Sequence, residues 1–94
     1  MDEELDIINN PEKLRFEAKL GEEFAIIEYR WYKGDIVFMH TFVPEAGQGK
    51  GIAGKMAKFA LDYVRDNNLK MKLYCPYMIS YVERKPEYKV LIRD

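Results

Sequence analysis

Four of the six glycines fall between positions 47 and 54, in the stretch Gly47-Gln48-Gly49-Lys50-Gly51-Ile52-Ala53-Gly54. A glycine loop between a strand and a helix aims several backbone N–H groups at one point. With the positive end of the helix dipole, those donors form an anion site, most often for phosphate. Glycine lets the backbone approach the anion closely and adopt positive φ where the turn needs it. A turn alone needs one or two glycines, so four point to a bound phosphate group. Two other residues carry chemistry singly: Cys75 is the only cysteine and His40 the only histidine. One thiol and one imidazole make a poor metal set, and no metal is expected.

Three glycine signatures compete for the loop. Gly49-Lys50-Gly51-Ile52-Ala53-Gly54 fits the dinucleotide pattern G-x-G-x-x-G, but 94 residues leave no room for a doubly wound dinucleotide domain. Residues 49–55 fit the start of the P-loop pattern, yet Met56 stands where a magnesium-binding hydroxyl is required. Gln48-Gly49-Lys50-Gly51-Ile52-Ala53 matches every fixed place of the third signature, Gln/Arg-x-x-Gly-x-Gly/Ala.

That third pattern resembles the pyrophosphate loop of the GCN5-related N-acetyltransferases. His40-Thr41-Phe42-Val43-Pro44-Glu45, Cys75-Pro76-Tyr77 and Arg84-Lys85-Pro86-Glu87-Tyr88 extend the resemblance, in order, to the short acetyltransferase-like members of that superfamily. The match runs over roughly residues 9–91. Lys50 stands where arginine is usual and keeps the charge. Lys85 stands where histidine is usual, which removes that group's role here.

The resemblance implies a minimal α+β fold, with an antiparallel meander leading into a β–loop–α–β coenzyme A core and a mixed sheet. It implies an acetyltransferase that binds acetyl-coenzyme A, with Phe42, Val43, Gln48, Gly49, Lys50, Gly51, Ile52, Ala53 and Gly54 at the cofactor. A backbone N–H near Val43 would face the thioester carbonyl. Cys75 is a candidate acid or nucleophile, against the reading that a free cysteine packs in the core. His40 is a candidate base, against a structural role, and Tyr77 a candidate acid for the leaving thiolate. Lys85 is a candidate contact for the nucleotide end, against a plain surface lysine. A module that binds coenzyme A without turnover is the alternative.

The elements that must position these groups follow from periodicity. A short strand is expected over 5–8 and a turn at Asn9-Asn10-Pro11. Alternation predicts strands over 14–20, 24–32 and 36–43, the second placing Ala25, Ile27, Tyr29 and Trp31 on one face and Phe24, Ile26, Glu28 and Arg30 on the other. These make a three-stranded antiparallel meander whose last strand runs into the loop. A helix follows from 52 to about 67, with Ile52, Met56, Phe59, Ala60, Tyr63 and Val64 as its core stripe. Asn67-Asn68 suits a left-handed stop. Met71, Leu73 and Cys75 alternate along a strand parallel to the one before the loop, closed by Pro76. A short helix over 77–85 stops at Pro86, and 88–92 reads as a final strand or a docked tail.

Composition bounds the rest. The length suits one domain, 1–94, and 48% hydrophobic residues suffice for a core. Net charge is −1 with no basic run, so no nucleic-acid partner is expected. No apolar stretch approaches the roughly 20 residues of a membrane span, and the acidic Met1-Asp2-Glu3-Glu4 is not expected to act as a signal peptide. A cytoplasmic protein is expected, acting on a small-molecule or peptide amine. With little chain left to wall the acceptor site, a protein partner or a homodimer would complete it.

Overall fold

The computed structural model describes residues 5–93. Five strands pair in sequence order: β1 (Ile7–Asn10), β2 (Arg15–Leu20), β3 (Glu23–Tyr32), β4 (Asp35–Phe42) and β5 (Met71–Leu73). β1 to β4 form an antiparallel meander, and β5 lies parallel to β4. Helix α1 (Ile52–Asp66) makes the crossover between them, as a strand–helix–strand unit requires. Helix α2 (Pro76–Arg84) and a 3-10 turn (Pro86–Leu91) complete an α+β fold with a mixed sheet. No helix among the described residues is long and apolar enough to cross a membrane.

The meander has four strands, not three, because Asn9 and Asn10 pair with Phe16 and Arg15 instead of turning. Their side chains bond into the sheet: Tyr29 Oη donates to Asn9 Oδ1 (2.7 Å) and Asn10 Nδ2 donates to Glu17 Oε1 (3.3 Å). The turn moves to residues 11–14, where Asn10 Oδ1 accepts the Lys13 N–H and Leu14 takes φ 56°. Glu17 is buried although alternation points it outward, since Arg15 Nε reaches it at 2.7 Å.

Both helices pack on one face of the sheet. Phe16, Ile27, Tyr29 and Phe38 meet Met56, Ala60 and Val64 of α1 and Met78 and Val82 of α2. One expectation for the core shifts. Phe59 is 39% exposed and Tyr63 half-buried, both edge-on to the Phe16 ring, while Ala57 and Leu61 turn inward. The small Ala57 and Ala60 let α1 approach the sheet, and the larger rings reach around its flank. Trp31 is 46% exposed, at the hairpin end of β3, with its ring edge-on to Tyr29 at 5.7 Å.

Asn68 takes the left-handed conformation (φ 56°) just beyond α1. β5 ends at Leu73, so Cys75 is the N-cap of α2 and not a strand residue. Pro76 opens that helix: a proline fits the first helical position, where an N–H would lack a partner anyway. The C-terminal segment is a docked tail, with Ile92 bridging Met71 and Arg93 N–H donating to the Met71 carbonyl.

Candidate functional site

β4 hands the chain to Val43 and the buried Pro44, and a 3-10 turn (Glu45–Gly47) starts the loop. The Gly47 N–H donates to the Pro44 carbonyl (2.8 Å) and the Gln48 N–H to the Glu45 carbonyl (3.1 Å). Gln48 Nε2 reaches back to the Val43 carbonyl at 3.1 Å, bracing the loop across its base. Gln48 therefore directs its backbone N–H and one amide N–H to the loop itself. Gly47 is a packing glycine: a Cβ there would lie 2.7 Å from Leu20 Cδ1 and 2.9 Å from Ile52 Cδ1.

The next two glycines serve conformation. Gly49 and Gly51 hold φ 79° and 74°, and a Cβ on either would meet nothing within 4 Å. Gly51 is the N-cap of α1, with no side-chain cap. The Lys55 N–H, donating to the Gly51 carbonyl at 3.1 Å, makes the first bond of the helix. The Ile52, Ala53 and Gly54 N–H groups precede that bond and have no helical acceptor. They border a cavity of about 210 Å³ lined by Val43, Gly47, Gln48, Gly49, Gly51, Ile52, Ala53, Gly54 and Tyr77. The donor chemistry, N–H groups at a helix N-terminus with no side chain in front, fits a pyrophosphate. The Lys50 side chain is exposed and outside this lining.

The strands above the loop diverge. β4 pairs with β5 from Ile36 to Phe38, and the Tyr74 and Cys75 N–H groups both close on the Phe38 carbonyl. The chain then turns into α2 while β4 continues through residues 39–42. The cavity lies beyond this opening. Tyr77, in the first turn of α2, lines it, and a Cβ on Gly54 would sit 3.7 Å from the Tyr77 hydroxyl. Behind Tyr77, burial pushes the Tyr81 hydroxyl up from its usual range, with neighbouring Tyr77 adding to it.

A register shift decides which residues face this opening. Tyr29 pairs with Phe38 and Glu28 with His40, which leaves Met39 as an extra residue in β4. Such a bulge reverses the alternation beyond it. Thr41, opposite Ile27, therefore joins the helix-bearing face, and its Oγ1 lies 3.1 Å from Cys75 Sγ. His40 and Phe42 lie on the opposite face, opposite Glu28 and Ile26. His40 is exposed, and the structure does not bring it to Cys75 or Tyr77. Cys75 is 2% exposed and outside the cavity lining. Lys85, exposed, is the C-cap of α2, at the other end of that helix from Tyr77. Thr41 is the residue that sequence reasoning missed: it stood inside a quoted motif, but only a strand register could show where it points.

Comparison with known proteins places these features in a wider set. A family model described as GCN5-related N-acetyl-transferase matches residues 15–91. Protein NATD1 of Gallus gallus is 34% identical over 85 residues, which cover 87% of this chain and 77% of that protein. Protein NATD1 of Mus musculus is 37% identical over 78 residues, covering 80% and 71%. The NMR solution structure of a GCN5-like protein from Staphylococcus aureus is similar with a TM-score of 0.68 at 26% identity, covering 95% of this chain and 88% of that one.

Proposed function

Because the chain belongs to the GCN5-related N-acetyltransferase family, we propose that it binds acetyl-coenzyme A and transfers the acetyl group to an amine. One observation carries this reading: the open N-terminus of α1, capped by a positive-φ glycine, borders a cavity that Tyr77 also lines. Coenzyme A supplies an acetyl group activated as a thioester. Gly49, Lys50, Gly51, Ile52, Ala53 and Gly54 would hold its pyrophosphate through their backbone. Val43, where β4 leaves the sheet, offers an N–H for the developing oxyanion. Tyr77 offers a proton to the leaving thiolate. The acceptor is a small-molecule or peptide amine, met in the cytoplasm.

The test is incubation with acetyl-coenzyme A and a panel of amines, following free thiol and the mass of both protein and amine. Thiol release that depends on the amine, with an acetylated product, supports the enzyme. A second reading, a coenzyme A-binding module without turnover, is favoured by His40 lying on the far face and by the enclosed Cys75. Cofactor binding without thiol release would establish that one.

A further inference from the structure

At the other end of β4 and β5 from the loop, five cations from four separate segments come together. Lys70, Lys89 and Arg93 line a cavity of about 280 Å³ with Val90 and Ile92. Lys33 and Lys72 flank it through Tyr32, each ammonium 5.4 Å from that ring. Asp35, opposite Tyr32 in the β3–β4 register, ties the group together. Arg93 grips it with two bonds of 2.8 and 2.9 Å, and Lys70 and Lys72 act on the same carboxylate. Lys70 Nζ is itself held, donating to the Val90 carbonyl at 2.9 Å. Among the described residues, these five cations and the one carboxylate of Asp35 give the cluster a net charge of +4. Glu87, on the same 3-10 turn, acts instead on Tyr81.

We propose that this cluster is a docking site for an acidic protein segment, rich in aspartate and glutamate. The argument is charge complementarity, and the side chains choose between anions. Bidentate phosphate recognition uses an arginine fork, and the Arg93 fork is engaged by Asp35. Single-stranded nucleic acid needs aromatic faces for stacking, and the Tyr32 ring has Lys33 and Lys72 above it. What remains are lysine ammonium groups, point charges on flexible stems, beside the 72% exposed Val90. Carboxylates interleaved with apolar side chains fit that surface.

The test is fluorescence anisotropy of a labelled Asp/Glu-rich peptide at low salt. The proteins compared are wild type, Lys70→Glu/Lys89→Glu, and Lys13→Glu/Lys19→Glu, which makes the same charge change elsewhere. Binding should fall by about tenfold or more in the first variant and by less than about twofold in the second, and should weaken as salt rises. Should Lys70→Glu unfold the tail, Lys89→Gln/Lys72→Gln keeps the experiment decisive, since it leaves the bond from Lys70 Nζ to the Val90 carbonyl in place. No binding by wild type, or equal loss in both charge-reversal variants, would overturn the proposal. So would tighter binding of a single-stranded oligonucleotide of equal charge.

Discussion

Position 51 shows how a single backbone angle sets a property of the site. With φ 74°, Gly51 occupies a conformation that costs an L-residue about 1–2 kcal/mol. A side chain there would stand in front of the α1 N-terminus. Gly51→Glu should therefore abolish coenzyme A binding by adding bulk and negative charge, while circular dichroism shows the fold retained. A folded Gly51→Glu protein with wild-type affinity, measured by calorimetry, would refute the loop assignment. Cys75 makes the second residue-scale prediction. At 2% exposure and 3.1 Å from Thr41 Oγ1, its thiol should react slowly with iodoacetamide in the native protein and quickly in urea. Cys75→Ala should still bind coenzyme A. Rapid native alkylation that coenzyme A blocks would restore Cys75 as a group facing the cofactor.

At the scale of elements, the loop's glycines divide by cause. Gly47 is constrained by neighbours: its missing Cβ makes room for Leu20 of β2 and Ile52 of α1. Gly47→Ala should cost about 1–3 kcal/mol by overpacking. Gly49→Ala meets no atom but inherits φ 79°, and should cost about 1–2 kcal/mol from the backbone alone. Urea unfolding separates them through a compensating change: Leu20→Ala/Gly47→Ala should recover part of the Gly47 loss, whereas Leu20→Ala should do nothing for Gly49→Ala. Additive losses at position 47 would show that packing is not the cause. The same logic covers the bulge at Met39, one extra residue that exchanges His40 for Thr41 on the helix-bearing face.

For the molecule as a whole, the Asp35–Arg93 ion pair and the hydrogen bond from Tyr88 to Asp62 tie distant segments together. The Arg93 hydrogen bonds hold the Asp35 carboxyl below the usual carboxylate range. Burial pushes Asp62 up, but hydrogen bonds from Lys58 and Tyr88 outweigh it and leave that carboxyl lowered. A lowered folded-state pKa means that the unfolded chain binds protons first. The stabilisation is thus present above about pH 4 and is lost as pH falls through the folded values. Tyr88 acts at the other limb. Burial, then its bond to Asp62, pushes it up to about 12. Between the ordinary tyrosine value near 10 and that one, only the unfolded chain loses the proton, so stability falls as pH rises. Urea midpoints against pH should show both limbs, the acid slope reduced in Asp35→Asn and the alkaline slope in Tyr88→Phe. Unchanged slopes would show that these links contribute nothing. Function at this scale depends on coverage. α1 and α2 occupy one face, and the face bearing Ile26, His40 and Phe42 has neither. An amine acceptor entering from that uncovered face would be poorly shielded from water. Turnover of simple amines by the isolated chain should therefore be slow, and fast steady-state turnover by the monomer would contradict this.

What the sequence determined by itself is whatever local pattern encodes. Alternation located the three long strands to within a residue or so, and 3.6-residue periodicity located α1. The glycines announced a strand–loop–helix, and a right-handed crossover then required β5 to lie beside β4. Tertiary structure decided everything that depends on register between strands or on meetings between distant segments. Asn9 and Asn10 carry a turn signature, yet they pair because Tyr29 and Glu17 supply partners across the sheet. His40 and Thr41 are neighbours in the chain, and no local pattern reveals that β4 has one residue more than β3 to pair. The five cations at 33, 70, 72, 89 and 93 make no run in the sequence. They become a surface because a parallel strand sits between a hairpin and a docked tail, and only folding fixes that distance.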